Sequence, residues 1–278
     1  MLVVENVTKK FRGTKKVLNG VNFEFEKGVY GLLGPNGSGK TTLMRCILGL
    51  YPYSGTIELD GEIIKNNKKT ASKIGYLPQS FGLFRELTVY EVMDYFAVQK
   101  NLLGKESKDE IMKALEVVKL SDKAKTKCKK LSGGMIRRVG IAQTLLGNPK
   151  LIMFDEPTAG LDPEERLRFK NIVSSISKNT TVIISTHIVE DVESICEKIV
   201  VFNNGNIVKG DSIENVRSVA EGKVFIVSEN QALDKDVFAI REYIQDDKIV
   251  KRVLSNKVCG TPVSPTVEDG YLCLLKKI

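Results

Sequence analysis

The run Gly34-Pro35-Asn36-Gly37-Ser38-Gly39-Lys40-Thr41 fits the spacing G-x-x-x-x-G-K-[ST], and no other stretch of the 278 residues constrains the fold as tightly. Such a loop works only where a buried strand delivers the chain into it and a helix carries the chain away. The strand is legible as Val29-Tyr30-Gly31-Leu32-Leu33, a short unbroken apolar run of the kind buried on both faces of a parallel sheet. Glycines let backbone N–H groups turn inward on an anion, and a helix starting near Lys40 points its positive end at the same place. A glycine-rich turn that merely caps a helix has no need of the strand, the lysine and the threonine together. Phosphate binding is therefore the expected role.

Leu151 to Phe154 and Val182 to Ile184 are further short apolar runs, and each ends in polar residues. The core is thus expected to be α/β, a P-loop NTPase core with a parallel sheet. Alternating apolar residues at Leu2 to Val7 and Val21 to Phe25, with Ile57 to Ile64 around Asp60-Gly61, predict an antiparallel β subdomain. Between Leu87 and Asn148 the pattern turns helical: Thr88 and Glu91 form a capping box, and Ile111, Leu115 and Val118 recur at helical spacing. A helical subdomain inserted over about residues 86–148 follows. Asn203 to Asn206 predict a hairpin, and from about Val219 the character changes to strand-like Val224 to Val227 and a terminal helix after Pro265-Thr266. Residues 1–218 are accordingly read as one domain and 219–278 as a small α+β appendage.

A net charge of +8 makes nucleic acid, anionic lipid and nucleotide all eligible partners, and charge alone does not choose among them. Five scattered cysteines, none in C-x-x-C spacing, argue against a disulfide framework or a zinc site and fit a reducing cytoplasm. The start of the chain lacks the basic and apolar regions of a signal peptide, and no apolar run approaches the ~20 residues of a membrane helix. Action at a membrane would then require a partner that spans it. Lysines at 123, 125, 127, 129 and 130 read as a solvated face, with attraction to an acidic membrane surface as the weaker alternative.

Lys40 is placed to neutralise β- and γ-phosphate charge and Thr41 to hold magnesium. Asp155 and Glu156 close a buried strand, where two carboxylates repel unless a cation sits beside them. Asp155 then suits magnesium, through water, and Glu156 suits polarisation of an attacking water. Ser132-Gly133-Gly134 alone would be a plain helix N-cap; just upstream of the carboxylate strand it reads as an anion seat. His187 is the only histidine. A single histidine is ordinarily a surface or core residue, but this one follows a buried strand whose end should lie beside the other sites, and it is expected at the γ-phosphate. Asp162 before Pro163 is explained by capping alone. Gln79 is either a solvent-facing amide or an oxygen completing a magnesium shell, and the residues leave that choice even.

In this order the motifs resemble the ATP-binding subunit of ABC transporters, over roughly residues 1–215. Gly34 to Thr42 matches the Walker A motif, Gln79 the Q-loop, Leu131 to Met135 the signature motif and Leu151 to Glu156 the Walker B motif with its catalytic glutamate. Ala159-Gly160-Leu161-Asp162 matches the D-loop and His187 the switch histidine. Phe11 stands where family members place a ring that stacks on adenine. Two sequence departures are Met135, where many members have glutamine, and Phe11 itself, where tyrosine is commoner.

The resemblance implies ATP and Mg2+ as ligands and a head-to-tail homodimer, in which Ser132 and Gly134 of one copy meet the ATP held by Lys40 of the other. It also implies an integral membrane permease as partner, at the cytoplasmic face of the membrane, and no specific nucleic acid. Pro265 to Leu272 and the stretch Ser132 to Glu164 are similar to ATPases of bacterial drug, antibiotic-peptide and polysaccharide exporters. The competing expectation is a soluble ABC-type factor acting on ribosomes or nucleic acid. Such proteins usually carry two cassettes or a long coiled-coil insertion, and neither is visible in the sequence.

Overall fold

The computed structural model describes residues 1–13, 15–64 and 72–278. A six-stranded sheet lies at its centre, in the order β10 (Asn206–Ser212), β9 (Lys198–Asn203), β3 (Gly28–Leu33), β8 (Thr181–Thr186), β7 (Leu151–Asp155) and β6 (Ile74–Leu77). All neighbours in it are parallel except β10 on β9. The three apolar runs of the sequence are β3, β7 and β8, each buried along its whole length.

Strand periodicity sorts these residues into two cores. Val29, Leu33, Ile152, Phe154, Val182, Ile184, Ile199 and Val201 face one way; Tyr30, Leu32, Leu151, Met153, Ile183, Val200 and Phe202 face the other. The first face is covered by the helices α2 (Val89–Gln99), α3 (Gly104–Val117) and α4 (Gly133–Leu145) of the insertion. With them lie α5 (Pro163–Ile176) and α6 (Val189–Ile195). The second face packs against α1 (Lys40–Ile47) and an antiparallel sheet ordered β2 (Lys16–Phe25), β1 (Leu2–Lys10), β4 (Ser54–Leu59), β5 (Glu62–Ile63).

Both expected hairpins form with two-residue turns. Asp60 and Gly61 have φ of 51° and 77°, and Asn204 and Gly205 have 47° and 77°, the positive pairs that match strand twist. Thr88 makes the capping box with Glu91 at the start of α2. No helix among the described residues is long and apolar enough to cross a membrane.

After α7 (Ile213–Ser218) a third sheet follows, ordered β12 (Phe238–Gln245), β13 (Lys248–Leu254), β11 (Val224–Ser228), β14 (Thr261–Pro262). The terminal helix α8 (Val267–Lys276) begins at Thr266 in a second capping box, with Asp269. It belongs to two cores at once: Val267 and Tyr271 join Val216 in the main cluster, while Cys273 packs with Ala220, Val224 and Leu254. The last helix therefore ties the third sheet to the main core. The change of sequence character at Val219 does not reveal this, because a helix with two apolar faces looks like any amphipathic helix.

Candidate active site

The loop after β3 makes the floor of a cleft of about 310 Å³ lined by Phe11, Val17, residues 36–42, Gln79 and Glu156. Gly39 caps α1 with φ of 115° and offers no side-chain cap, so the first N–H groups of the helix face the cleft's anion seat unshared. Any side chain there would meet the Phe202 ring and the Val17 carbonyl, each at 2.9 Å from an added Cβ. Lys40 Nζ donates to the carbonyls of Gly34 (2.7 Å) and Pro35 (3.2 Å). Burial lowers its pKa, against the opposing pull of Glu156 and Asp155. The buried Ser38 hydroxyl has no hydrogen-bond partner among the described residues. An orphaned donor, bare helix N–H groups and a buried ammonium are the requirements of a bound polyphosphate.

Asp155 ends β7 beneath this loop and is 1% exposed. Its Oδ1 accepts from the Thr41 hydroxyl at 3.1 Å and from the Ser185 hydroxyl, and its Oδ2 from the Tyr76 hydroxyl at 3.4 Å. Burial, with Asp155 next to it, pushes the Tyr76 phenol up to about 12, so it stays a donor. No cluster of three or more His, Cys, Asp or Glu ligands exists among the described residues. What is present is an oxygen donor set: the Asp155 carboxylate bonded to the Thr41 hydroxyl, with Thr41 and Gln79 lining the same cleft. It suits Mg2+, which keeps waters and takes one or two protein ligands plus phosphate oxygens.

Glu156 follows with φ of 48°, a left-handed conformation that costs a non-glycine residue about 1–2 kcal/mol. Three hydrogen bonds to its backbone hold it there: its N–H donates to the Ser185 carbonyl at 3.0 Å, and its carbonyl accepts from Arg137 Nη2 at 2.7 Å and from the Ala159 N–H at 3.4 Å. The turn lifts the carboxylate into the cleft, where His187 Nδ1 lies 3.1 and 3.2 Å from its two oxygens. The carboxylate is buried and the imidazole about half exposed (8% and 47%), so the histidine can reach both the acid and a ligand above it.

No sequence motif marks Arg137. Its guanidinium also donates to the carbonyls of Pro157 (3.1 Å) and Gln79 (3.0 Å), tying α4 to both the carboxylate turn and the Gln79 loop. Tyr76 and Ser185 carry no motif either. The same holds for Asp191, which accepts from Thr158 and, at 3.3 Å, from Arg166.

The remaining expected residues are not brought into the cleft. Ser132 is the N-cap of α4, its hydroxyl accepting from Met135 N–H at 3.2 Å, and Gly133 is open to solvent. Gly134 packs on the Glu165 side chain. Asp162 caps α5 by accepting from Glu165 N–H at 2.8 Å. None of the four lines the cleft that holds Lys40.

A family model described as ABC transporter matches residues 18–159. The chain is 38% identical over 212 residues to the linearmycin resistance ATP-binding protein LnrL of Bacillus subtilis (strain 168), covering 75% of this chain and 68% of that protein. It is 36% identical over 230 residues to the Nod factor export ATP-binding protein I of Burkholderia orbicola (strain AU 1054), covering 81% and 72%. Among solved structures, a dimeric post-hydrolysis state of the ATP-binding cassette MJ0796 bound to ADP and Pi superposes with a TM-score of 0.67 at 26% identity, over 76% of this chain and 98% of that one.

Proposed function

The chain belongs to the ABC transporter family as one of its ATP-binding cassettes, and on that premise we propose that it hydrolyses ATP as a homodimer to drive a separate membrane permease of the export type. The carrying observation is a division of labour. Lys40, Thr41 and Glu156 line one cleft, with Asp155 bonded to Thr41 and His187 to Glu156, while Ser132, Gly133, Gly134 and Asp162 stand outside it. A second copy facing head to tail supplies the missing side. The export direction is supported by the export role named for the Burkholderia relative, and the permease by the family's description as a transporter. Through that permease the protein would sit at the cytoplasmic face of the membrane. Residues 1–218 form the ATPase unit in this scheme and 219–278 its appendage.

The chemistry follows from the geometry. Phe11, which lines the cleft, offers its ring to adenine, and the residues from Gly34 to Thr42 hold the phosphates. Thr41, Asp155 and Gln79 would hold Mg2+, which supplies charge neutralisation at the β- and γ-phosphates. Glu156 accepts a hydrogen bond from the attacking water and takes its proton as the water oxygen bonds to the γ-phosphorus and ADP leaves. His187 fixes the Glu156 carboxylate, and in this scheme its half-exposed ring contacts the γ-phosphate. Ser132 and the N–H groups of Gly133 and Gly134, at the start of α4, close the site from the other copy.

Complementation tests the shared site. Lys40→Met and Ser132→Arg proteins should each be inactive as homodimers, yet their mixture should regain ATPase activity, because one of the two sites in a mixed dimer keeps both Lys40 and Ser132. Absence of any recovery, with mixed dimers verified by tagged pull-down, would place both residues in one chain's site and end the proposal. Glu156→Gln should lower turnover by about 10²-fold or more and trap an ATP-bound dimer visible by light scattering.

A further inference from the structure

Lys9, the penultimate residue of β1, is buried (8% exposed), and among the described residues no carboxylate pairs with it. Its ammonium donates to the Pro52 carbonyl at 2.7 Å and lies over two rings, 4.8 Å from the centroid of Phe11 and 5.5 Å from that of Tyr51. Phe11 and Tyr51 meet edge to face, with centroids 5.3 Å apart and planes at 90°. Tyr51 is held in turn by Arg45, whose Nη1 donates to its hydroxyl at 2.7 Å and whose guanidinium carbon is 5.6 Å from its ring.

Two features make this more than packing. Burying an ammonium without a carboxylate is costly, and a methionine would fill the same space at no such cost. The cation is offset here by one carbonyl and two π faces, an arrangement that fixes the rings relative to each other. Arg45 also sits on α1, the helix that starts at the phosphate loop. The helix that follows the phosphate loop is therefore linked, through Arg45 and Tyr51, to the Phe11 ring. Phe11 lines the cleft but Lys9, Tyr51 and Arg45 do not, so the cation reaches the ring from outside the ligand's space.

We propose that Lys9, braced by Tyr51, is a positioning residue for nucleobase recognition: it clamps the Phe11 ring in place for a purine, and through that ring contributes to the affinity for the base but not for the phosphates. This rests on the cleft being a nucleotide site with Phe11 at its base end.

The test compares wild type, Lys9→Met, Lys9→Arg, Phe11→Leu and the double variant Lys9→Met/Phe11→Leu, measuring steady-state ATPase kinetics and inhibition by inorganic tripolyphosphate, which has no base. Lys9→Met should raise the KM for ATP about five- to tenfold with little change in kcat, the range expected of a partly desolvated cation–π contact. Inhibition by tripolyphosphate should not change. Lys9→Arg should recover most of the loss, and Lys9→Met should add nothing once Phe11 is replaced by leucine. An unchanged KM in Lys9→Met, where Phe11→Leu does raise it, overturns the role of Lys9 alone. Equal weakening of ATP and tripolyphosphate by Lys9→Met also overturns it, since the residue would then act on the phosphates or the fold. No effect of Phe11→Leu on the KM removes the base site and the proposal together.

Discussion

Replacing Arg137 by methionine should damage both stability and turnover, although no motif marks the residue. Three of its hydrogen bonds are 3.1 Å or shorter and go to the carbonyls of Glu156, Pro157 and Gln79. Bonds to a charged donor contribute about 1.5–3 kcal/mol each, and because this guanidinium is only half buried, water can replace part of each loss. A net of about 1 kcal/mol per bond gives about 3 kcal/mol for the set. For a domain of this size that corresponds to a fall in Tm of about 6–12 °C. The effect on rate comes from Glu156, whose left-handed turn loses the shortest of the three hydrogen bonds on its backbone. Methionine should therefore lower kcat more than it raises the KM for ATP. The Arg137→Lys protein, with one donor head in place of a fork, should fall between methionine and wild type. Calorimetry and coupled-assay kinetics read the two effects separately. A methionine variant that melts with wild type and keeps its kcat would refute the idea that this guanidinium holds the carboxylate turn.

Asp155→Asn should raise the Mg2+ concentration for half-maximal ATPase activity by at least about tenfold, as expected when a charged metal ligand is lost, and chelation by EDTA should abolish wild-type activity; activity indifferent to both would exclude the oxygen set at Thr41 and Asp155 as a metal site. In the appendage, burial pushes the Asp269 carboxyl up, but Arg252 and Thr266 together outweigh it and hold the group below its ordinary value of 3.8. A depressed folded pKa contributes stability that is complete above the unfolded value and lost as pH falls through the folded one, so the Tm advantage of wild type over Asp269→Asn should be full at neutral pH and shrink on acidification below about pH 4. A constant difference across that range would assign the effect to shape, not charge.

The central sheet was legible because burial on both faces leaves an unbroken apolar run, and β3, β7 and β8 show that pattern without interruption. The two hairpins were legible from Asp60-Gly61 and Asn204-Gly205, which name their turn type. The phosphate loop, Asp155, Glu156 and His187 could be placed near one another from sequence because each sits at the end of a strand that the sequence already located. Arg137, Tyr76 and Ser185 could not, since their partners are carbonyls and a carboxylate far away in sequence, and an arginine in a helix looks the same whether it faces solvent or two loops. The double role of α8 was hidden for a related reason: Val267 and Tyr271 on one side and Cys273 on the other serve different cores, but a sequence shows only that apolar residues recur.

Ser132, Gly133, Gly134 and Asp162 pose the opposite case, residues easy to name from sequence that the single chain leaves outside the cleft. Ser132 and Asp162 each satisfy a helix start by capping it, so the fold of one copy fully explains them. What capping does not explain is why Gly133 and Gly134 follow, since glycine weakens a helix by about 1 kcal/mol relative to alanine. Space within the chain accounts for Gly134 only, where a Cβ would press on Glu165 at 2.8 Å; at Gly133 a Cβ would meet nothing within 4 Å. A glycine in open space at a helix start leaves room for something outside the chain to come close to its backbone, and the N–H groups of that first turn favour an anion. On this argument Gly133→Ala should fold as well as wild type or better, and yet lose ATP-dependent dimerisation. If it dimerises on ATP like wild type, the close approach at this helix start is refuted while the cleft around Lys40 stands.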